Sequence, residues 1–128
     1  MKVIKINDNV PKDKRGQNQN IKFHVVDKET MNGCGFGLTY GEWIMCIGLT
    51  DTISFNLKIS DDEEIGIINI LDDDFLQPYD FQAMIIKDGN KAPSLAKKIQ
   101  NDVYMIMCNL SANGIISGWS IGDYIQGE

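Results

Sequence analysis

The chain has 128 residues, and we expect residues 1–128 to form a single domain, since chains of this length commonly fold around one core. Apolar residues make up 43% of the sequence and charged residues 23%, which predicts an ordinary globular protein with a packed interior. The formal net charge of −6, a single arginine and the lack of any long apolar run argue against a nucleic-acid-binding or membrane-spanning protein.

Two short strands, each followed by a loop, are predicted in the N-terminal part of the chain. Residues 3–6 are apolar enough for a short strand, and residues 21–26 alternate as a second strand would. Residues 7–20 are polar and contain proline and glycine, so we expect a loop there. Residues 27–37 end in closely spaced glycines and predict a second loop.

Residues 42–71 carry the clearest pattern in the chain. Between residues 53 and 60 apolar and polar side chains alternate, which predicts a strand with one face in the core, formed by Ile53, Phe55, Leu57 and Ile59. Residues 43–49 are apolar at odd and even positions alike, which predicts a strand covered on both faces, with Cys46 inside the core. Short connections then predict a three-stranded antiparallel meander with strands 42–49, 53–60 and 65–71.

Two helices are predicted after the meander. Pro78 fits the first turn of a helix that runs to about Lys87, and Gly89 fits its left-handed C-terminal cap. The aspartates at 72–74 would face the positive end of that helix's dipole. A second helix is predicted at residues 94–112, where one face is formed by Leu95, Ile99, Val103, Ile106 and Leu110. Cys108 lies in an apolar run, and we expect it in the core.

A hairpin is the alternative for the second helix. Residues 103–110 are rich in strand-forming residues, and Asn113-Gly114 is a hairpin turn signal that would pair them with residues 115–121. We prefer the helix because its apolar spacing extends back to Leu95 through good helix formers, which leaves residues 115–121 as a final strand. Strands first and helices later predict an α+β fold, an antiparallel sheet with both helices packed on one face.

Several motifs resemble catalytic sites without completing one. Residues 118–122 match the G-x-S-x-G pattern of serine hydrolases, but six residues follow, and the one histidine, His24, precedes the motif. Residues 33–37 alternate glycine with other residues, but a strand is predicted after them, where a dinucleotide-binding loop needs a helix. Cys34 with His24 is the one imaginable pair of nucleophile and base, and Lys28 is the nearest cation that could activate the thiol.

The sequence predicts no catalytic residues, no metal and no cofactor. Three scattered cysteines and one histidine lack the paired short spacings of a zinc site, and residues 72–83 do not place ligands as an EF-hand loop does. An odd number of cysteines at irregular spacing argues against a disulfide framework, and the first residues do not form a secretory signal. We therefore expect a cytoplasmic protein with free thiols.

The distribution of charge bears most directly on partners. Between residues 51 and 80 nine acidic residues accompany one lysine, a formal charge of −8, whereas residues 1–28 carry +4. Such a surface attracts basic proteins and repels nucleic acid. We therefore expect a non-enzymatic protein-interaction domain (an inhibitor, immunity-type or adaptor protein) that binds through Asp61, Asp62, Glu63, Glu64, Asp72, Asp73 and Asp74.

The alternative is a small-molecule-binding domain or a small enzyme whose site is assembled from scattered residues. Its candidate residues are the carboxylates together with His24, Cys34, Tyr40 and Trp43. A deep pocket with convergent polar groups would favour this alternative, and a flat acidic surface would favour an interaction domain.

Overall fold

The structure is a computed structural model that describes residues 21–62 and 64–118. The strand predicted at 3–6, the loop predicted at 7–20, residues 119–122 of the G-x-S-x-G motif, and Glu63 lie outside the described residues.

Seven strands and three α-helices make up the described part of the chain. The strands are β1 Lys22–Phe23, β2 Gly37–Thr39, β3 Glu42–Gly48, β4 Ile53–Ser60, β5 Gly66–Asp72, β6 Gln77–Pro78 and β7 Ile116–Ser117. The helices are α1 Lys28–Gly33, α2 Phe81–Asp88 and α3 Ser94–Ala112, with a 3-10 turn at Gly89–Lys91 between the last two. The order confirms the predicted α+β class.

Five of the strands form an antiparallel sheet in the order β2-β3-β4-β5-β6. Its centre is the predicted meander, in which Met45 on β3 pairs with Leu57 on β4, and Leu57 pairs with Ile68 on β5. All four alternating apolar side chains of β4 are buried, as predicted, because the period of two puts them on one face. The short edge strands β2 and β6 extend the meander on both sides.

The second face of the sheet is not covered as predicted. Ile44 and Cys46, which alternate with buried residues on β3, are exposed. The prediction that β3 is buried on both faces, with Cys46 in the core, is therefore wrong. Residues from the sheet and from all three helices belong to one hydrophobic cluster, which lies on the opposite face, so apolar composition did not indicate burial here.

Helix α3 has the predicted bounds, and the alternative hairpin is wrong. Residues 103–110 are helical, and the two residues of β7 pair with β1 in a separate two-stranded sheet. Lys97, Lys98 and Asn101 lie on the solvent-exposed side of this helix. The described part of the strand predicted at 115–121 is two residues long, and the strand predicted at 21–26 shortens to β1.

The buried stripe of α3 is displaced from the predicted one. Its apolar members are Ala96, Ile99, Val103, Met107 and Leu110, and Gln100 is buried beside them. Leu95 is 41% exposed and Cys108 is exposed, so their placement in the core is wrong, whereas Ile106 is half-buried and packs against the edge of the hydrophobic cluster. At about 3.6 residues per turn, the stripe through Ile99 and Val103 continues through Ala96 and Met107. Both residues are less hydrophobic than Leu95 and Ile106, so hydrophobicity alone favoured the wrong pair for this stripe.

The start of α2 also differs from the prediction. The helix begins at Phe81, and Asp80 caps it by accepting a hydrogen bond from the Ala83 N–H at 3.2 Å. Pro78 instead lies in the edge strand β6, Asp72 ends β5, and Asp73 and Asp74 lie in the turn that leads to β6. Gly89 ends the helix with a positive φ of 55°, as expected, although its ψ of −123° lies outside the left-handed helical region.

The loop predicted at residues 27–37 contains helix α1. Asp27 caps it, because its carboxylate accepts hydrogen bonds from both the N–H and the hydroxyl of Thr30. Met31 is buried in the hydrophobic cluster and attaches this short helix to the sheet. The aspartate three residues before a threonine was the sequence signal for this cap, and the nearby glycines obscured it.

Candidate functional site

The predicted binding residues that the structure describes lie at the two ends of β5. We call Asp61, Asp62 and Glu64 the first acidic turn and Asp72–Leu76 the second acidic turn. Residues 65–71, most of which belong to β5, separate them. At about 3.3 Å per residue the separation is roughly 20 Å, so the carboxylates form two groups and not one continuous acidic face.

The carboxylates of the first acidic turn are hydrogen-bonded to the surrounding fold. Asp61 Oδ1 accepts a hydrogen bond from Trp43 Nε1 at 2.7 Å, and Glu64 Oε2 accepts one from the Val25 N–H at 2.7 Å. Asp62 Oδ1 accepts a longer one, 3.3 Å, from the Ser60 hydroxyl. These bonds connect the turn to β3 and to the chain after β1, and they fix where its charges lie.

An exposed tyrosine lies next to the first acidic turn. Tyr40, in the tight turn between β2 and β3, has φ of 48° and a fully exposed side chain. The Asp61 N–H donates to the Gly41 carbonyl at 2.9 Å, which holds the two turns together.

The second acidic turn combines carboxylates with exposed apolar side chains. Asp72 Oδ1 accepts hydrogen bonds from the N–H groups of Asp74 and Phe75, and Asp73 Oδ1 accepts one from the Ser54 hydroxyl at 2.9 Å. Phe75 is 71% exposed and Leu76 is 78% exposed. The aspartates here were predicted from the sequence and these two neighbours were not, although two large apolar residues within a polar turn were a usable signal.

A third turn contributes to the same end of the sheet. The Asp73 N–H donates to the Thr52 carbonyl at 2.7 Å, so the β3–β4 turn lies against the second acidic turn. Asp51, exposed and next to Thr52 in the chain, therefore adds a fourth carboxylate to this end. This pairing depends on sheet register and was not evident from the sequence.

The charges of both acidic turns remain unneutralised within the described part of the chain. Ion pairs among the described residues join Lys58 to Glu42 at 3.8 Å and Lys98 to Asp102 at 2.6 Å, and neither uses a carboxylate of the acidic turns. The donors that do reach those carboxylates are neutral N–H and O–H groups. The field of the second turn extends to Tyr79, whose pKa is raised by burial and, secondarily, by Asp72.

Of the residues proposed for a small enzyme, Trp43 and the turn that contains Tyr40 lie beside Asp61, whereas no described hydrogen bond joins His24 or Cys34 to them. Trp43 is buried and bonded to Asp61, and the Cys34 N–H caps the end of α1 by donating to the carbonyls of Thr30 and Met31. His24 Nε2 lies 2.8 Å from the Ser117 hydroxyl, a contact across β1 and β7 that sequence analysis missed. It pairs a hydroxyl with an imidazole, the combination that serine hydrolases use as nucleophile and base.

The described residues also bear on metal binding and membrane insertion. Among residues 21–62 and 64–118, no three His, Cys, Asp or Glu side chains meet as potential metal ligands. Within the same ranges, no helix combines the length and apolar character needed to cross a bilayer.

Comparisons with protein-family models, with curated proteins and with solved structures find no match to this chain.

Proposed function

We propose that the protein is a non-enzymatic interaction domain that binds a basic protein through its acidic turns. The observation that carries this proposal is the exposure of carboxylates at both ends of β5 without an ion pair to any described cation. A partner that supplies lysine or arginine side chains would provide the missing counter-charges.

The fixed geometry of the turns supports this proposal. Trp43, Val25 and Ser54 hold Asp61, Glu64 and Asp73 in place through neutral donors. A surface ordered before binding loses less conformational entropy when the partner arrives. The negative charge remains available to the partner, because a neutral donor orients a carboxylate without cancelling its charge.

We place the protein among inhibitors, immunity-type proteins and adaptors, which act by occupying or bridging a partner surface. Its acidic turns would repel a nucleic-acid backbone and attract cationic protein surfaces. We also propose a cytoplasmic location, which the free thiols of Cys34, Cys46 and Cys108 support.

A pull-down from the source cell at low and high salt tests the proposal. The wild type would be compared with two amide variants: Asp61→Asn, Asp62→Asn, Glu63→Gln and Glu64→Gln in one, and Asp72→Asn, Asp73→Asn and Asp74→Asn in the other. Amide oxygens can still accept the hydrogen bonds that shape the turns, so charge is the main change. We expect partner recovery to fall with salt and in the amide variants, with association slowing more than dissociation accelerates.

The control variant is Asp102→Asn, which removes one carboxylate that already has a partner, Lys98. It should leave partner recovery unchanged. Recovery of the same partner at the same yield at both salt concentrations and from both amide variants would refute the electrostatic proposal.

The second candidate function is a small hydrolase, favoured by the 2.8 Å contact between His24 and Ser117. His24 would act as the base for the Ser117 hydroxyl, but its described side-chain hydrogen bonds include no third group that orients the ring, as hydrolytic triads have. A fluorophosphonate probe tests this candidate: labelling of the wild type that Ser117→Ala and His24→Ala both remove would support it. An unlabelled wild type would contradict it.

A further inference from the structure

We infer that Phe75 and Leu76 form the apolar anchor through which the second acidic turn holds a cationic protein segment that carries apolar side chains between its lysines or arginines. This inference rests on the proposed function and names the contact surface and the partner's chemistry. The acidic residues alone would accept many cations, whereas the apolar pair restricts the partner to one that can also bury hydrophobic surface.

The side chains of Phe75 and Leu76 are both largely exposed to solvent. Both lie outside the hydrophobic cluster, and about three quarters of each faces solvent. Large exposed apolar groups beside a polar rim are characteristic of interaction sites, and aromatic residues are enriched among the side chains that contribute most to binding. Phe75 would therefore contribute the larger part of the buried contact.

The turn presents this pair in a defined conformation. The Phe75 N–H donates to Asp72 Oδ1 at 3.4 Å, and Leu76 has φ of 52°, which a residue other than glycine rarely adopts. The following strand β6 pairs with β5 at Leu71–Pro78 and Asp72–Gln77, which closes the turn on both sides. The apolar side chains thus project from a closed hairpin.

The surrounding charge determines what kind of surface can bind there. Asp51, Asp72, Asp73 and Asp74 surround the pair at this end of the sheet. Lys98 is the cation that the described contacts bring nearest: it donates to the Leu49 carbonyl at 3.1 Å and is already paired with Asp102. None of these four carboxylates has an ion pair to a described cation, so together they repel an anionic membrane and a second copy of the same turn, and they attract a cationic segment.

The first acidic turn differs in the arrangement of the exposed side chains beside it. Its carboxylates are bonded to Trp43, Val25 and Ser60, and the large side chains exposed beside it are those of Tyr40 and Ile65, which belong to separate connections. We therefore assign long-range attraction to the first acidic turn and direct contact to the second. Neutralising the first should slow association, whereas truncating the apolar pair should accelerate dissociation.

The test uses two synthetic peptides of equal length and equal lysine content, one with leucines between its lysines and the other with serines at the same positions. Their affinities for the wild type, for the double variant Phe75→Ser with Leu76→Ser, and for the control Met105→Ser would be measured at low salt. Met105 is matched in exposure, 73%, but lies on α3 outside both acidic turns.

We expect the wild type and the Met105→Ser control to prefer the leucine peptide by about tenfold, a typical effect of an apolar anchor on binding. The double serine variant should bind the two peptides equally, because without the apolar pair only charge attracts either peptide. The serine peptide measures this charge contribution alone. Amide chemical shifts should move at residues 72–76 in the wild type. Circular dichroism of each variant confirms that it is folded.

Three results would overturn the inference. If the double variant keeps the wild-type preference while the Asp72→Asn, Asp73→Asn and Asp74→Asn variant loses binding, the anchor is wrong and the proposed function stands. If neither peptide binds the wild type and the salt-dependent pull-down also fails, both are wrong. If the wild type binds anionic vesicles, or forms a dimer in ultracentrifugation, and the double variant does not, the apolar pair binds a membrane or a second copy instead.

Discussion

Gly66 provides the sharpest test of how the two sheets pack together. It is buried at the start of β5, and a Cβ atom added there would lie 2.4 Å from Phe23 Cγ and 2.6 Å from both Cδ atoms. Carbon atoms in contact normally lie near 3.5–4.0 Å, so Gly66→Ala cannot be accommodated unless the Phe23 ring moves. That ring belongs to β1, which is two residues long and pairs with β7.

The expected cost follows from two opposing terms. Overpacking a well-packed site typically costs about 1–3 kcal/mol, whereas replacing glycine with alanine typically gains about 0.4–1 kcal/mol by restricting the unfolded chain. We therefore expect Gly66→Ala to lower the free energy of unfolding by about 1–2 kcal/mol. In a Phe23→Ala background the ring is absent, so the same change should be neutral or slightly stabilising.

Urea denaturation of the four proteins in this double-mutant cycle measures the coupling, with Gly37→Ala as the matched control. Gly37 is also a strand glycine, but a Cβ atom there would meet nothing within 4 Å. Its replacement should therefore cost little. An equal cost for Gly66→Ala with and without the Phe23 ring would refute the packing of β1 over β5.

Three further measurements test other parts of the structure. Leu57→Ala should cost about 2–5 kcal/mol because Leu57 is 1% exposed at the centre of the meander, and a loss below about 0.5 kcal/mol would contradict its position in the core. Asn101→Pro should cost about 3 kcal/mol or more because it interrupts α3, so a near-wild-type urea midpoint would argue against the helix. Burial raises the pKa of Tyr104 from 10.0 to about 12, so the folded state keeps a proton that the unfolded state loses, and stability should fall as pH rises from about 10 through 12. Tyr104→Phe should remove the latest phenolate absorbance step, and persistence of that step would assign it to another tyrosine.

Periodicity was sufficient to predict the parts of the fold where local and tertiary preferences agree. The alternation on β4 and the spacing along α3 each require one buried face, and the fold supplies it. The C-terminal helix was recognised because its apolar spacing extended over sixteen residues, from Leu95 to Leu110, which a hairpin strand could not explain.

The errors arose where hydrophobicity and burial diverge. Cys46 and Cys108 are apolar enough to suit a core, but they lie on faces that the hydrophobic cluster does not occupy. Pro78 suits a helix start as well as an edge strand, because both positions tolerate a missing N–H. Pro78 lies in the strand because it pairs with Leu71, which is a tertiary contact.

The candidate site was predictable in composition but not in arrangement. Runs of aspartate and glutamate between strands indicated exposed turns, and the structure places them there. The hydrogen bonds from Trp43 to Asp61 and from Ser54 to Asp73 join residues eighteen and nineteen positions apart. Such contacts depend on strand register, which the spacing of residues within a single segment does not predict.

The separation of the acidic turns explains how this fold tolerates so concentrated a charge. A segment of thirty residues with a formal charge of −8 would repel itself strongly if it formed one surface. Strand β5 instead divides its acidic residues between two ends roughly 20 Å apart, beyond the Debye length of about 8 Å at physiological salt. Repulsion between the ends is then largely screened, whereas repulsion within each end persists. The proposed cationic partner would relieve that local repulsion as well as gain its own ion pairs, so the charge most costly to the free protein would also be the charge most favourable to binding.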